Sequence, residues 1–165
     1  MRAIINYANE NKKLPEAESP INLKQGETAH IMDDSAVMME ERSVSVSNRA
    51  GGAVRVARGL YLGGSQSVSR RHDEMKEIDR GQLTFTNKRI VFIGATKTKQ
   101  FELNKIIRLE EYTDGFSIAY EGKEKKTIFR TSSNPSQWNL YFQLQNKLNR
   151  GEELPQYETN ISFEQ

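Results

Sequence analysis

The stretch that most constrains the fold of this chain is residues 81–94, which reads GQLTFTNKRIVFIG. Its first half alternates, with Leu83 and Phe85 separated by polar residues, and this period of two is typical of a half-buried strand. Asn87-Lys88 predicts a tight turn because asparagine tolerates the left-handed backbone that short hairpins require. The second half, residues 90–93, is almost wholly apolar, as in a strand within a barrel or sandwich. The segment therefore predicts a central β-hairpin.

Shorter strands are predicted on both sides of this hairpin. Downstream, residues 81–130 are expected to form a meander of about five strands, with a strong turn signal at Thr113-Asp114-Gly115. Upstream, residues 28–32 and 36–46 predict a first hairpin that turns at Asp33-Asp34-Ser35. Residues 53–62 predict a further strand, whereas 65–80 have no clear pattern beyond Met75 and Ile78 at helical spacing.

The period of the apolar residues changes to that of a helix after residue 134. Asn134 is a good N-cap and Pro135 suits the first helical position. Apolar residues then recur at helical spacing from Trp138 to Leu148, and Gly151 is placed to end the helix. We therefore predict an amphipathic helix over residues 135–149 that packs on the sheet or covers an open barrel end.

Three regions are expected along the chain. Residues 1–25 predict an extended and partly disordered N-terminal arm, because Pro15 and Pro20 interrupt any periodic pattern. Residues 26–151 form the predicted domain, and residues 152–165 form an acidic, frayed C-terminal tail.

Composition restricts the classes of function. The 165 residues carry a formal net charge of +2, with acidic and basic residues interleaved, so nucleic acid is not an expected partner. The chain has no cysteine and no apolar run long enough to span a bilayer, which is compatible with the cytoplasm. His30 and His72 have no ligand-spaced partners. We therefore expect no metal, no cofactor and no enzymatic activity.

The hairpin and the residues after it resemble the bacterial pleckstrin-homology-like and GRAM-type domains. The likeness covers about residues 14–150 and is carried mainly by the TNKR turn, an L-x-K-I strand and a DG turn before an aromatic strand. The matching residues are Thr86, Asn87, Lys88, Arg89, Leu103, Lys105, Ile106, Asp114 and Gly115. The resemblance implies a PH-like barrel of about seven antiparallel strands capped by one C-terminal α-helix, and a binding or assembly role rather than a particular function.

The leading expectation is therefore a non-catalytic interaction module that binds a protein partner or its own kind. Its expected docking surfaces are exposed strand edges and the groove beside the helix. Met38 and Met39 are candidate interface residues because methionine-rich surfaces adapt to partners, although both could equally fill the core.

The alternative function is that of a peripheral adaptor at anionic membrane surfaces. It would use basic residues at predicted turns and strand ends, provided that these gather at one end of the barrel. The candidates are Arg70, Arg71, Lys88, Arg89, Lys97 and Lys99. The competing interpretation is that they only keep the protein soluble and protect strand edges. The first predicted hairpin loop, Asp33-Asp34-Ser35, is acidic, which departs from the basic loop of inositide-binding PH domains.

Overall fold

The computed structural model describes residues 2–44 and 72–156, without the side chains of 42–44 and 72–74. The elements in chain order are helix α1 (Arg2–Asn11), strands β1 (Ala29–Val44), β2 (His72–Thr86), β3 (Arg89–Gly94) and β4 (Thr98–Glu102), a single 3-10 turn (Leu103–Lys105), strands β5 (Ile106–Glu111), β6 (Gly115–Tyr120) and β7 (Thr127–Arg130), and helix α2 (Pro135–Asn149). The part of the chain that the structure describes is mainly β, with seven strands and a C-terminal helix, as the sequence predicted.

The seven strands form one antiparallel sheet in the order β4-β3-β2-β1-β7-β6-β5. Two hairpin-connected groups, β2–β4 and β5–β7, are thus joined through β1. The expectation of a barrel or sandwich needs correction, because β4 and β5 are the two edges and no ladder joins them in the described part of the chain. The chain leaves the sheet in the 3-10 turn Leu103–Lys105, so β5 starts without pairing with β4.

The central hairpin is confirmed. Phe85 is opposite Ile90 across the two-residue turn. The outer face of β2 is not half-exposed, however, because Thr84 and Thr86 are buried. The N-terminal segment covers them: the Ser19 hydroxyl oxygen lies 2.8 Å from that of Thr84.

The N-terminal segment is not the extended arm that its prolines predicted. It begins with α1, whose Ile5 and Ala8 are buried, and Leu14 lies in the core. The peptide nitrogen of Ala17 then donates to the carbonyl of Ala29, 2.8 Å away, which fixes the segment beside the start of β1. The predicted domain boundaries at residues 25 and 151 stay predictions.

The predicted first hairpin is wrong. Strand β1 runs without interruption through residues 33–35. The sequence Asp33-Asp34-Ser35 is typical of a local turn, but the Asp33 carboxylate also accepts hydrogen bonds from Ser132 and Ser133, which a sequence pattern cannot show. The residues at helical spacing within 71–79, Met75 and Ile78, lie in strand β2 and not in a helix. The strand predicted at 53–62 is outside the described residues.

The chain divides into two compact units. The first comprises Met1–Met38 and Ile78–Gln165, and it contains β3–β7 and both helices. The second, Met39–Glu77, contains the last part of β1 and the first part of β2. Met39 is the first residue of the second unit.

Helix α2 has the bounds and the caps that the sequence predicted. The side chain of Asn134 accepts a hydrogen bond from the Ser136 peptide nitrogen, with Pro135 at the first helical position. Trp138 is fully buried and stacks on Phe116 at a centroid distance of 5.2 Å. The core cluster contains Phe85, Ile90, Phe92 and Trp138, as predicted. The helix therefore covers the central hairpin.

The C-terminal tail is ordered over its first residues. Leu154 is buried, and the carbonyl oxygen of Pro155 accepts a hydrogen bond of 3.0 Å from the Asn9 side chain of α1. The predicted fraying of the tail falls largely on residues 157–165, outside the described part.

Candidate interaction surface

Strand β5 is an edge of the sheet, and among the described strands it pairs only with β6. The ladder slips between Ile106 and Arg108, so Ile107 is the extra residue of a β-bulge. Two adjacent isoleucines are therefore used differently: Ile106 is buried and Ile107 is 68 % exposed. Ile107 is the most exposed large apolar side chain among the described residues, and it marks β5 as a candidate contact surface.

The backbone of β5 has hydrogen-bonding groups on its open side. The peptide nitrogen of Tyr112 donates to the carbonyl of Gly115 over 2.7 Å, so Tyr112 faces β6. Because alternate residues of an antiparallel strand face the same neighbour, Arg108 and Glu110 also bond to β6. Leu109 and Glu111 consequently direct their peptide N–H and C=O groups toward the open edge.

Helix α2 is anchored at the end of this strand. The Glu111 carboxylate accepts hydrogen bonds from the Ser136 hydroxyl and the Asn139 amide, each 3.0 Å long. These contacts hold the first turns of α2 beside β5, because both donors project from the N-terminal half of the helix. The open edge of β5 is therefore flanked by a fixed helix rather than by a loop.

The outer face of β5 presents charges of both signs. Arg108 and Glu110 are both exposed and lie two residues apart, hence on the same face of the strand. Lys126 lies close by, with its Nζ atom 3.7 Å from Oε1 of Glu110 and 3.3 Å from the Tyr112 hydroxyl. The face thus combines one exposed guanidinium with a carboxylate that has a lysine neighbour.

Two of the predicted anion-contact residues, Lys88 and Arg89, serve the N-terminal segment instead. The Lys88 Nζ atom donates to the carbonyl of Gln25 at 2.9 Å. Arg89 forms an ion pair with the fully buried side chain of Glu27, its Nε atom 2.8 Å from Oε2. The charge of Arg89 is therefore compensated inside the protein.

Lys97 and Lys99, the other predicted basic residues that the structure describes, do not lie beside Lys88 and Arg89. Lys97 is in the turn between β3 and β4, at the opposite end of β3 from Lys88. Lys99 is on β4, opposite Phe92. Arg70 and Arg71 are outside the described residues. The anion-site prediction required the basic residues to gather at one end of the sheet. The four described residues do not.

The two candidate interface methionines are buried. Met38 exposes 3 % of its surface and belongs to the core cluster, and Met39 exposes 9 %. Their burial agrees with the other interpretation of the pattern, in which they fill the interior. Neither offers an exposed surface to a partner.

The buried polar groups of the first unit hold its segments together. The carboxylate of Asp33 accepts two hydrogen bonds from Ser132, two from Ser133 and one from the peptide nitrogen of Ser35, at 2.8–2.9 Å. Burial alone would raise the pKa of Asp33, but these hydrogen bonds outweigh it and the pKa is lowered. Asp33 thereby ties β1 to the connection between β7 and α2.

Among the described side chains, those of residues 2–41 and 75–156, no three His, Asp or Glu groups converge so that they could hold a metal ion. No helix in the same ranges is long and apolar enough to cross a bilayer.

Sequence reasoning did not single out Ile107, Arg108 or Glu110. The one available signal was the adjacent pair Ile106 and Ile107, which breaks the alternation of a regular strand and is compatible with a bulge. Comparison with known proteins adds no assignment: no family model, no curated protein and no solved structure matches the chain.

Proposed function

We propose that this protein is a non-catalytic interaction module that binds a protein partner, or a second copy of itself, along β5 beside α2. The observation that carries the proposal is the open edge of β5, where Leu109 and Glu111 direct backbone groups outward next to the exposed Ile107. An extended segment of another chain could add to the sheet there by main-chain hydrogen bonds. The fixed helix α2 would form one wall of the site.

We also propose that the module belongs with the PH-like and GRAM-type domains and acts in the cytoplasm. The strand order, the C-terminal helix over the core, and the position of Asn87-Lys88 in the hairpin turn support the family assignment. Such folds host many activities, so the functional proposal depends on the β5 edge rather than on the fold.

The state of the buried carboxylates supports a non-catalytic role. Asp33 accepts five hydrogen bonds from Ser35, Ser132 and Ser133. Glu27 is held by Arg89 and by the Thr86 hydroxyl at 2.6 Å. A general base needs a lone pair directed at a substrate, whereas the oxygens of these two groups are directed at the protein itself.

The proposal is tested by site-specific photocrosslinking in extract of the source cell. A photoreactive phenylalanine derivative at position 107 would sample the β5 edge, and the same derivative at position 97 provides a control on an exposed turn. We expect discrete protein adducts from position 107 and none of the same mass from position 97. Identical adducts from both positions, or none from position 107, would overturn the proposed docking edge.

Vesicle sedimentation tests the alternative function, that of a peripheral adaptor at anionic membrane surfaces. The purified protein would be spun with phosphatidylcholine vesicles and with vesicles that also contain phosphatidylserine, at low salt. We expect no cosedimentation with either, because the Arg89 charge is paired with Glu27 and Lys88 is bonded to Gln25. Cosedimentation with the anionic vesicles alone would instead favour a peripheral membrane adaptor.

A further inference from the structure

We infer that the strand that adds to β5 is β5 of a second copy of this chain, in an antiparallel pair with Leu109 at its twofold axis. The inference rests on the proposed function and names the partner of the same edge. A two-fold pair uses one surface twice, so each residue of β5 must be compatible with the residue it meets in the other copy.

The backbone is compatible with this centre. Leu109 directs its N–H and C=O groups toward the open edge, as derived from the bond between Tyr112 and Gly115. When two copies of Leu109 are opposite each other, each can donate to the carbonyl of the other, as in an ordinary hydrogen-bonded antiparallel pair. A centre at Glu110 would place Leu109 of one copy opposite Glu111 of the other, which also allows backbone hydrogen bonds, so the side chains decide between these two centres.

The side chains favour the same centre. With Leu109 on the axis, Arg108 of each copy is opposite Glu110 of the other, which gives two reciprocal pairs of opposite charge. A centre at Arg108 would oppose two arginines, and a centre at Glu110 or Glu111 would oppose two glutamates. Charge complementarity therefore selects the register centred on Leu109, with which the backbone direction is compatible, and this self-complementary pattern of charges points to a second copy as the occupant.

The pair is short. The bulge at Ile107 ends the regular ladder on one side, and the turn after Tyr112 ends it on the other. In the inferred register, Ile107 of each copy lies beside Glu111 of the other, at the two ends of the paired segment. Such an interface belongs to the small, transient class that buries less than about 1,200 Å², so we expect a reversible, concentration-dependent dimer.

The test uses charge reversal in the full-length protein. Arg108→Glu gives every copy two acidic residues on this face, and Glu110→Arg gives every copy two basic ones. Sedimentation velocity over a concentration series should show that each variant raises the dimer Kd at least about tenfold. An equimolar mixture of the two variants should form a heterodimer, and the double variant should dimerise like the wild type.

Two controls accompany these variants. Lys97→Glu changes the net charge as much as Arg108→Glu but lies in the turn between β3 and β4, and it should leave the dimer Kd unchanged. Glu110→Arg also removes the contact with Lys126, so circular dichroism and thermal unfolding must show that it remains folded. Arg108→Glu tests the repulsion without that complication.

Three outcomes would overturn the inference. They are a monomeric wild type at the highest concentration reached, a dimer that neither reversal weakens, and a mixture of the two variants that does not associate. A monomeric wild type whose position 107 still crosslinks to another protein rejects the second copy but retains the proposed function. A monomeric wild type with no adducts from position 107 rejects both.

Discussion

The guanidinium of Arg89 lies against the carboxylate of Glu27, with Nε 2.8 Å from Oε2 and Nη2 3.1 Å from Oε1. The Thr86 hydroxyl donates to the same carboxylate at 2.6 Å. This bidentate pair joins the end of the N-terminal segment to the turn of the central hairpin. The Glu27 side chain is fully buried and that of Arg89 is 11 % exposed, so the pair is largely removed from water.

We expect removal of one partner of this pair to be strongly destabilising. Arg89→Met would leave the Glu27 carboxylate buried without a counter-charge, at a cost of about 3–5 kcal/mol in the free energy of unfolding. Urea denaturation of the variant and the wild type measures the difference. Lys13→Met is the control, because Lys13 forms an exposed ion pair with Glu16 and should have a much smaller effect. Equal effects of the two variants would contradict the structural role assigned to Arg89.

The same carboxylate predicts a loss of stability in acid. Burial raises the pKa of Glu27. Hydrogen bonds from the Arg89 guanidinium, the Lys24 peptide nitrogen and the Thr86 hydroxyl outweigh burial and lower the pKa from 4.5 to about 2. A lowered pKa stabilises the folded state above pH 4.5, and this contribution is lost as the pH falls toward 2. The loss is about 3 kcal/mol, from 1.36 kcal/mol per pKa unit.

The measurement is the free energy of unfolding as a function of pH in the wild type and in Glu27→Gln. The variant cannot titrate at this position, so its stability should fall less between pH 4.5 and 2. Glu16→Gln, at an exposed position, is the matched control for the loss of one carboxylate. A Glu27→Gln curve parallel to that of the wild type would show that Glu27 is not the group responsible.

Local sequence signals predicted only those elements whose determinants are local. The Asn87-Lys88 turn lies between two strands adjacent in sequence, and the cap at Asn134 acts on the next residues, so both were found correctly. Asp33 had a turn-like context, yet its carboxylate binds Ser132, 99 residues away, and the strand continues through it. The prolines near residue 15 correctly disfavour a helix there but say nothing about α1, which precedes them.

The candidate surface was predictable only in outline. The sequence indicated that exposed strand edges would bind partners, but it could not identify β5 as an edge, because the strand order depends on pairing between distant segments. Met38 and Met39 show why the predicted interface residues were not on the surface. Their apolar character is the same in a core and in an interface, and only the observed burial distinguishes the two.

We expect a second pH dependence, nearer neutrality, from His30. This side chain is buried, and its Nδ1 atom lies 2.8 Å from the carbonyl oxygen of Pro15, to which it donates. Burial lowers the pKa of His30 below 6.5, while the contact with Pro15 and the charge of Glu16 oppose the shift. The unfolded chain then binds the proton more readily, so stability is highest above pH 6.5 and decreases as the pH falls below it.

Asparagine at position 30 provides the comparison for this prediction. His30→Asn keeps a side-chain N–H donor for the carbonyl of Pro15 but does not titrate. Thermal unfolding between pH 7.5 and 5 should therefore show a smaller decrease for the variant than for the wild type. Decreases of equal size would assign the pH dependence to other groups.

The last prediction concerns Trp138, the only tryptophan of the chain. Its ring is fully buried between Phe116 and Phe85, and its Nε1 atom donates to the Ser133 hydroxyl at 2.8 Å. Its fluorescence should be that of a buried indole and should shift to longer wavelength on unfolding. Trp138→Ala should lower the free energy of unfolding by about 3–5 kcal/mol because it leaves a large cavity under α2. Trp138→Phe retains a ring in the core but loses the donor to Ser133, so it should cost less than the alanine variant. If the alanine variant is no less stable than the phenylalanine variant, or if the native emission is that of a solvated indole, α2 does not cover the core as described.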